Sequence, residues 1–534
     1  MKAAPGEELA APPSRAGNGD GSPDRRHRWR LAAGIAVALV LAAAVVLRFV
    51  AKSDLWLDEA LSVNIAKLPL SDLPEALKRD GAPPVYYVLL HFWMDVFGES
   101  DTAVRALSGV LSLATLPAMY FAGRRLGGKW AAWAAVLVLA ANPYAFRYAT
   151  ETRMYALVMF VVAWGYLAFV RALEKPSLGR CALVALGVAV LLYAHNWSYY
   201  LIATVGIVLL LRAWRGSTAE DRRSAWRVIL AMVVGGLCYV PWLPTVAYQL
   251  KHTGTPWGDA RLPWSALASA IGAFGGVGRP YHGEAYVLTA LLIVLPLLAL
   301  FGAAVSTRHI DIDLRTRPLV RWETVVGVGA IVVGLTLSYA TGTAFDARYA
   351  SVGVPLFLLV TAMGIMVFSS TPVRVSVLAA MVALGLAGGV RNAVDERTQA
   401  GQVAAAVRAN AQPGDVVVYC PDQLGPSVHR VVGDGRGLVE VTFPDLARPE
   451  RVDWVDYRDR IGAANPDQVA AEVLDRAGDA TIWYVVSPGY RSVEGKCEAL
   501  GNALGAARPG PTTHVVFDDN GHFEFMGLVE YRTS

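Results

Sequence analysis

The chain is poor in charge. Only 17% of its 534 residues are Asp, Glu, Lys or Arg, against about 25% in an ordinary soluble domain, while 54% are hydrophobic. That shortage excludes a soluble globular protein and points to a polytopic membrane protein. Cysteine is scarce too. Four cysteines, with no CxxC pair and no Cys/His cluster, exclude a disulfide scaffold and give no structural metal centre. The net charge of +4 offers no basis for nucleic-acid binding. Neither a P-loop nor a GxGxxG pattern is present, so no nucleotide site follows.

What the chain has is apolar length. A bilayer-crossing helix needs about 17–25 residues. Stretches of that kind lie at 31–49, 103–122, 130–146, 154–171, 227–248, 285–305, 324–343, 349–368 and 373–390. Residues 1–24, rich in Ala, Pro, Gly, Ser and Asp, read as a disordered cytoplasmic tail. The run Arg25-Arg26-His27-Arg28-Trp29-Arg30 precedes Leu31–Leu47 as in a signal peptide. No small-x-small cleavage site follows before Lys52, so this segment is an uncleaved first helix.

Charge orients the spans, because basic linkers stay in the cytoplasm. Such linkers occur at 124–129, 171–180, 212–227, 308–321 and 371–374. All of them fall on one side only if the uncharged run 181–211 crosses twice, turning at His195-Asn196-Trp197-Ser198-Tyr199-Tyr200. The count is then eleven spans, with the N-terminus cytoplasmic and the C-terminus external. A further span at Pro83–Trp93 would reverse everything downstream, so this segment is expected to lie in the outer interface, as its Tyr, His and Trp content suits. The polar residues nearest the helix ends then gather outside: Asp58, Glu59, Lys78, Arg79, Asp80, His91, Arg147, Glu151, Arg153, His195, His252, His282, Asp346 and Arg348.

Residues 25–394 thus form a membrane domain whose first external loop is 51–101, and residues 395–534 change character. There Gln402–Gln412 reads as helix before Val416–Cys420, and Pro466–Gly478 before Ala480–Val486, which predicts a small external α/β domain. Cys420 and Cys497 both fall in it, on the oxidising side, and pairing between them is left open. Cys181 and Cys238, in apolar helices, read as packing residues.

A carboxylate beside a bilayer is expensive to keep, so Asp58 and Glu59, directly after the first span, are functional candidates. Either needs only a moderate lift in pKa to act as a base toward a hydroxyl. Taken alone, they are also explained as acids marking a helix end. Glu151 and Arg153 follow Asn142–Tyr148 at the outer end of the third span, where an ion pair at the surface is the plain alternative. Arg348-Tyr349 stands at the outer start of the tenth span; its guanidinium fork suits a phosphate, and an interfacial anchor is the competing explanation. His195 is a weaker case. Lys78 and Tyr86, before and within the interfacial segment, complete the candidate substrate-binding residues.

Several stretches, in order, resemble the polytopic glycosyltransferases of the GT-C fold, and among them the bacterial relatives of protein O-mannosyltransferases and of the aminoarabinose transferase acting on lipid A. They are Trp56-Leu57-Asp58-Glu59-Ala60, Ala82–Tyr87, Phe97–Ser100 with Arg105, Gly123–Gly127, Asn142–Tyr155, and Arg348-Tyr349. The likeness covers about residues 30–370. It implies a polyprenyl-phosphate-linked sugar as donor and an acceptor hydroxyl attacking the anomeric carbon with inversion, on the outer face of a bacterial plasma membrane. It maps the base to Asp58, with Glu59 adjacent, the second acid to Glu151, and the phosphate cations to Arg348 and Arg153. Some relatives carry a Lys before the Pro of the interfacial helix; here Ala82-Pro83 stands, and the resemblance gives the donor phosphate no second ligand there unless Lys78 or Arg79 substitutes. The acceptor, whether glycan, glycolipid or protein, the sugar and any divalent cation are left open. A transporter or flippase of a lipid-linked sugar is the rival, and would carry charge inside its spans, where there is little.

Overall fold

The structure is a computed structural model. It describes residues 23–254, 260–278, 282–314, 319–488, 490, 493 and 495–533. The expected tail lies, up to residue 22, outside the described residues; Pro23 and Asp24 open the first helix, Pro23–Val46.

A helix stands at each of the eleven expected segments. Among the described residues, seven helices are long and apolar enough to cross a membrane, and shorter apolar helices lie at Leu31–Val46, Val85–Phe97, Leu178–Ala194 and Val354–Met366. The 40-residue helix Asp101–Ala140 holds two expected spans, because Gly127 and Gly128 leave helical geometry between them. Gly128 takes φ +76°, which costs a glycine nothing, and the chain reverses at the basic linker. The run 181–211 breaks as charge parity requires: helix Leu178–Ala194 stops at His195, and Ser198–Arg215 starts three residues later. The segment 130–146 ends earlier than expected. Its helix stops at Ala140, and Asn142, accepting from Ala145 N, caps a separate short helix, Pro143–Ala149.

Val85–Phe97, bounded by Pro84 and Gly98, spans 13 residues, about 20 Å at 1.5 Å per residue, too short for a hydrocarbon core of about 30 Å. Val354–Met366, of equal length, instead continues from the helical turns Ala347–Val352. One face buries Tyr86, Tyr87, Leu90 and Met94, while Leu89, Phe92, Val96 and Phe97 are exposed. One face thus packs on the protein, and the other leaves apolar side chains uncovered. Cys238, expected in packing, is exposed on the helix surface, whereas Cys181 is half-buried.

Glycine lets the spans approach closely. A Cβ at Gly364 would collide with the Leu295 carbonyl, and one at Gly385 with that of Ala141. Arg48 is fully buried at the end of the first span, which is costly unless every N–H is used. It donates to the Ala44, Leu139 and Ala140 carbonyls at 2.8–3.0 Å and to Ser112 Oγ at 3.0 Å. A cation thereby caps the carbonyl ends of two helices at once.

Beyond the last span, Thr371–Val394, the chain forms a five-stranded sheet. The strands run in the order Val439–Thr442, Val416–Cys420, Ile482–Val486, Gly527–Tyr531, Thr512–Val515, the first three parallel and the last two antiparallel to their neighbours. Strand alternation splits the core between two faces. Val417, Tyr419, Trp483 and Val485 pack with helices Ala400–Asn410 and Gly425–Val432. Val416, Val418, Ile482 and Tyr484 pack with Pro466–Ala477 and Lys496–Ala507. Cys420 and Cys497 are disulfide-bonded.

Candidate active site

Asp58 and Glu59 sit in the first turn of the helix Leu57–Ala66, and as neighbours on a helix they face different surroundings. Asp58 Oδ2 accepts from Arg348 Nη1 at 2.6 Å and lies 3.7 Å from Arg153 Nη2. Residues 290 apart in sequence therefore meet in one compartment. Arg153 also donates to Ser62 Oγ (3.1 Å) and to Tyr87 OH (3.2 Å), and Tyr87 OH in turn donates to Asp80 (3.0 Å). The Arg348 guanidinium lies over the rings of Trp56 and Tyr349 at 5.6 and 5.7 Å. Both arginines keep a buried Nε–H that makes no hydrogen bond, and that of Arg348 faces Asp346 Oδ1 at 3.6 Å. An anion's oxygens are the natural partner of such donors.

Glu59 is fully buried. Arg105 grips it through two parallel bonds of 2.8 and 2.6 Å, Thr152 N–H donates at 2.9 Å, and Arg397 stands 3.7 Å away. Burial pushes its carboxyl up, but the Arg105 charge and hydrogen bonds outweigh that and hold it below the usual carboxylate range. Glu151, equally buried, shows the reverse. Burial raises its pKa, Arg147 at 3.1 Å opposes this only in part, and neither oxygen takes a hydrogen bond.

His195, the residue at which the helices of 181–211 turn, is buried beside Tyr155 and Tyr349, with ring centroids 5.6 Å from each. Burial and the charges of Arg153 and Arg348 push its pKa down to about 3, so the ring is neutral. Trp197 N–H donates to its Nδ1 at 3.1 Å, leaving Nε2 to carry the proton. Tyr349 stacks on Trp197 at 5.7 Å. The candidates Asp58, Arg153, Arg348, Tyr349 and His195 thus come together.

Glu59 and Glu151 lie apart from them in the pairings with Arg105 and Arg147, and two further candidates do not join them either. Tyr86 is buried under the interfacial helix, its OH 3.1 Å from Ser108 Oγ; its neighbour Tyr87 reaches Arg153 instead. Lys78 contacts Glu75 and the Tyr248 ring. Three residues of the site carried no prediction of a role. Arg105, a lone arginine at the start of a span, was visible as an anomaly. Arg397 and Glu524 come from the C-terminal region and had no local signal. A cavity of about 290 Å³ opens beside the group, lined by Trp56, Tyr148, Glu151, Arg348, Arg397 and Phe523, among others. A slightly larger one, lined mostly by apolar side chains from Val161 to Leu356, lies away from these carboxylates and arginines. Among the described residues, no three His, Cys, Asp or Glu side chains gather as a cation's ligands.

Two solved structures share this arrangement of helices and sheet. ArnT from Cupriavidus metallidurans in the apo state aligns over 93% of this chain and 98% of its own, with a TM-score of 0.61 at 14% identity. The same protein bound to undecaprenyl phosphate aligns over 94% and 98%, with a TM-score of 0.53 at 13% identity. The fold is GT-C. The family model described as dolichyl-phosphate-mannose-protein mannosyltransferase matches residues 81–244, the part of the GT-C domain from the interfacial helix through Arg153 and His195. No curated protein matches the sequence.

Proposed function

We propose that this protein is a membrane glycosyltransferase that moves a sugar from a polyprenyl-phosphate donor to an acceptor hydroxyl at the extracytoplasmic face. The observation that carries the reading is the contact of Asp58 with Arg348, a carboxylate and a guanidinium from distant loops, the arginine of the pair lining a cavity. The GT-C fold and the family match over 81–244 support it. So does the undecaprenyl phosphate in the structure of ArnT, a lipid phosphate carried by a protein of the same fold.

In this reading the donor's prenyl chain stays in the bilayer and its phosphate lies against Arg348 and Arg153, where the Arg153 Nε–H makes no hydrogen bond within the protein and the Arg348 Nε–H faces Asp346 Oδ1 at 3.6 Å. The acceptor oxygen attacks the anomeric carbon, its proton passes to Asp58, and the bond to the phosphate oxygen breaks with its electron pair leaving on the phosphate. One displacement inverts the configuration. The two guanidiniums stabilise charge that grows on the leaving group, the kind of effect that dominates many active sites. Glu59 holds Arg105 and the Thr152 backbone in place, and Glu151 stands by as the second acid.

The test is transfer by purified full-length protein from undecaprenyl-phosphate-linked tritiated mannose, glucose and aminoarabinose to cell membranes. Asp58→Asn should lower transfer about 100- to 10,000-fold, the range of general-base contributions, in a variant that still unfolds cooperatively on heating. Wild-type rates in that variant would remove Asp58 from the chemistry.

A further inference from the structure

The helix that carries Asp58 has no cap of its own. Trp56 occupies the N-cap position and supplies no side-chain hydrogen bond; the Glu59 N–H bonds to the Trp56 carbonyl at 2.9 Å, and the first N–H, that of Leu57, takes its partner from another part of the chain. Leu57 N–H finds its partner 467 residues away, in Glu524 Oε1 at 3.0 Å. Phe523, next to Glu524, sets its ring edge against Trp56 at 5.1 Å. Glu524 is buried and is itself fixed by backbone: its N–H donates to the Arg397 carbonyl (2.8 Å), and its own carbonyl accepts from Gln399 N–H (3.0 Å).

Arg397 works on the other acid-bearing loop. Its guanidinium donates to Thr150 O at 2.7 Å and Thr150 Oγ1 at 2.6 Å, and its Nη1 is 3.7 Å from Glu59. Its own N–H donates to Ser53 Oγ at 2.9 Å, in the stretch leading to Asp58. Two backbone-paired residues of the external domain thus hold the residue before Asp58 and the residue before Glu151. Phe523 and Arg397 also line the same cavity as Arg348.

We infer that Arg397 and Glu524 are positioning residues that register the two acid-bearing loops, so that the C-terminal domain completes the active site and does not merely sit above it. The inference rests on the glycosyltransferase reading for its effect on turnover, and on geometry alone for its effect on the helix. A helix start held by a partner fixed elsewhere loses its register when the partner is removed, while the phosphate cations stay where they are. Donor affinity is then spared and the chemical step suffers. Glu524 faces the Leu57 amide, the Thr398 and Ser427 hydroxyls and Asp58, and burial pushes its pKa up to about 7. A carboxylic acid and an amide share the acceptor carbonyl, so Gln is the conservative replacement.

The experiment uses full-length protein in nanodiscs, with two readouts. Amide hydrogen exchange of residues 57–61 should rise at least tenfold in Glu524→Ala and stay near wild type in Glu524→Gln. With whichever labelled undecaprenyl-phosphate sugar the wild type transfers, kcat should fall at least tenfold in Glu524→Ala with KM for the donor within about threefold. Glu524→Gln should keep at least a third of kcat. Unchanged exchange in Glu524→Ala overturns the inference. Raised exchange with unchanged kcat also overturns it, since the contact would then be structural only. Should the wild type transfer none of the sugars, the glycosyltransferase reading fails by itself, and the exchange readout still decides the helix contact.

Discussion

Asp58 and Glu59 are neighbours with the same charge, yet the two sides of this helical turn are different environments. On the Asp58 side the arginines come from separate loops, the carboxylate is 13% exposed, the Arg153 Nε–H makes no hydrogen bond, and Arg348 lines a cavity. On the Glu59 side, Arg105 is bidentate, Thr152 adds a backbone bond, and the carboxylate is closed to solvent. The difference teaches that satisfaction, not charge, separates a structural acid from a reactive one. Glu59 spends three of a carboxylate's roughly four acceptor sites on the protein and is closed to solvent, so a substrate proton does not reach it. One side of the turn builds the loop, and the other is free to act.

The contrast breaks most visibly at the closed side. Removing one partner of a buried ion pair leaves the other charge uncompensated, at a cost of about 3–5 kcal/mol. Arg105→Ala should therefore lower the stability of the membrane domain by that order, read as a loss of thermal stability in detergent and reduced accumulation. An Arg105→Ala protein as stable as wild type would mean that Glu59 is not held as described. The open side should respond in rate. Arg348→Lys keeps a charge but loses the planar fork. It should cost about 10- to 100-fold in kcat/KM, or roughly 1.4–2.7 kcal/mol, with little change in stability. If Arg348→Lys destabilised the protein as much as Arg105→Ala does, the division between the two sides would be wrong.

Much of the fold was legible because lipid imposes a simple rule: apolar length marks a span and basic charge marks its cytoplasmic end. That rule places the break at His195, and it puts Asp58 and Arg348 in one compartment. It also marked 395–534 as a separate α/β region. The rule ends where side chains choose partners. Nothing local distinguishes Tyr87 from Tyr86, since which of them reaches Arg153 depends on the rotation of a 13-residue helix. Glu59 read as a twin of Asp58 because its partner Arg105 is 46 residues on. Arg397 and Glu524 had no reading at all; their partners lie 247 and 467 residues away. Positions of chemistry follow from topology, but division of labour within the site follows from packing.

The smallest expected effect separates the two buried acids, and its sign follows from their opposite shifts. Glu59 is held below the ordinary range, so its folded state binds protons more weakly than the unfolded chain. Its contribution to stability is present above the unfolded value near pH 4.3 and is lost as pH falls through its lowered folded value. Glu151 is raised, so the folded state binds its proton more tightly. The cost of holding it ionised is absent at and below about pH 4 and is fully felt above its raised value. Removing the charge by Glu151→Gln should then raise thermal stability at pH 8 and change it little at pH 4. Glu59→Gln should lower stability at pH 8, with the loss shrinking only at strongly acidic pH. Thermal unfolding of both variants across that range checks the pair. If the two carboxamides moved stability in the same direction at pH 8, burial alone would govern both acids, and the Arg105 grip would not set Glu59 apart.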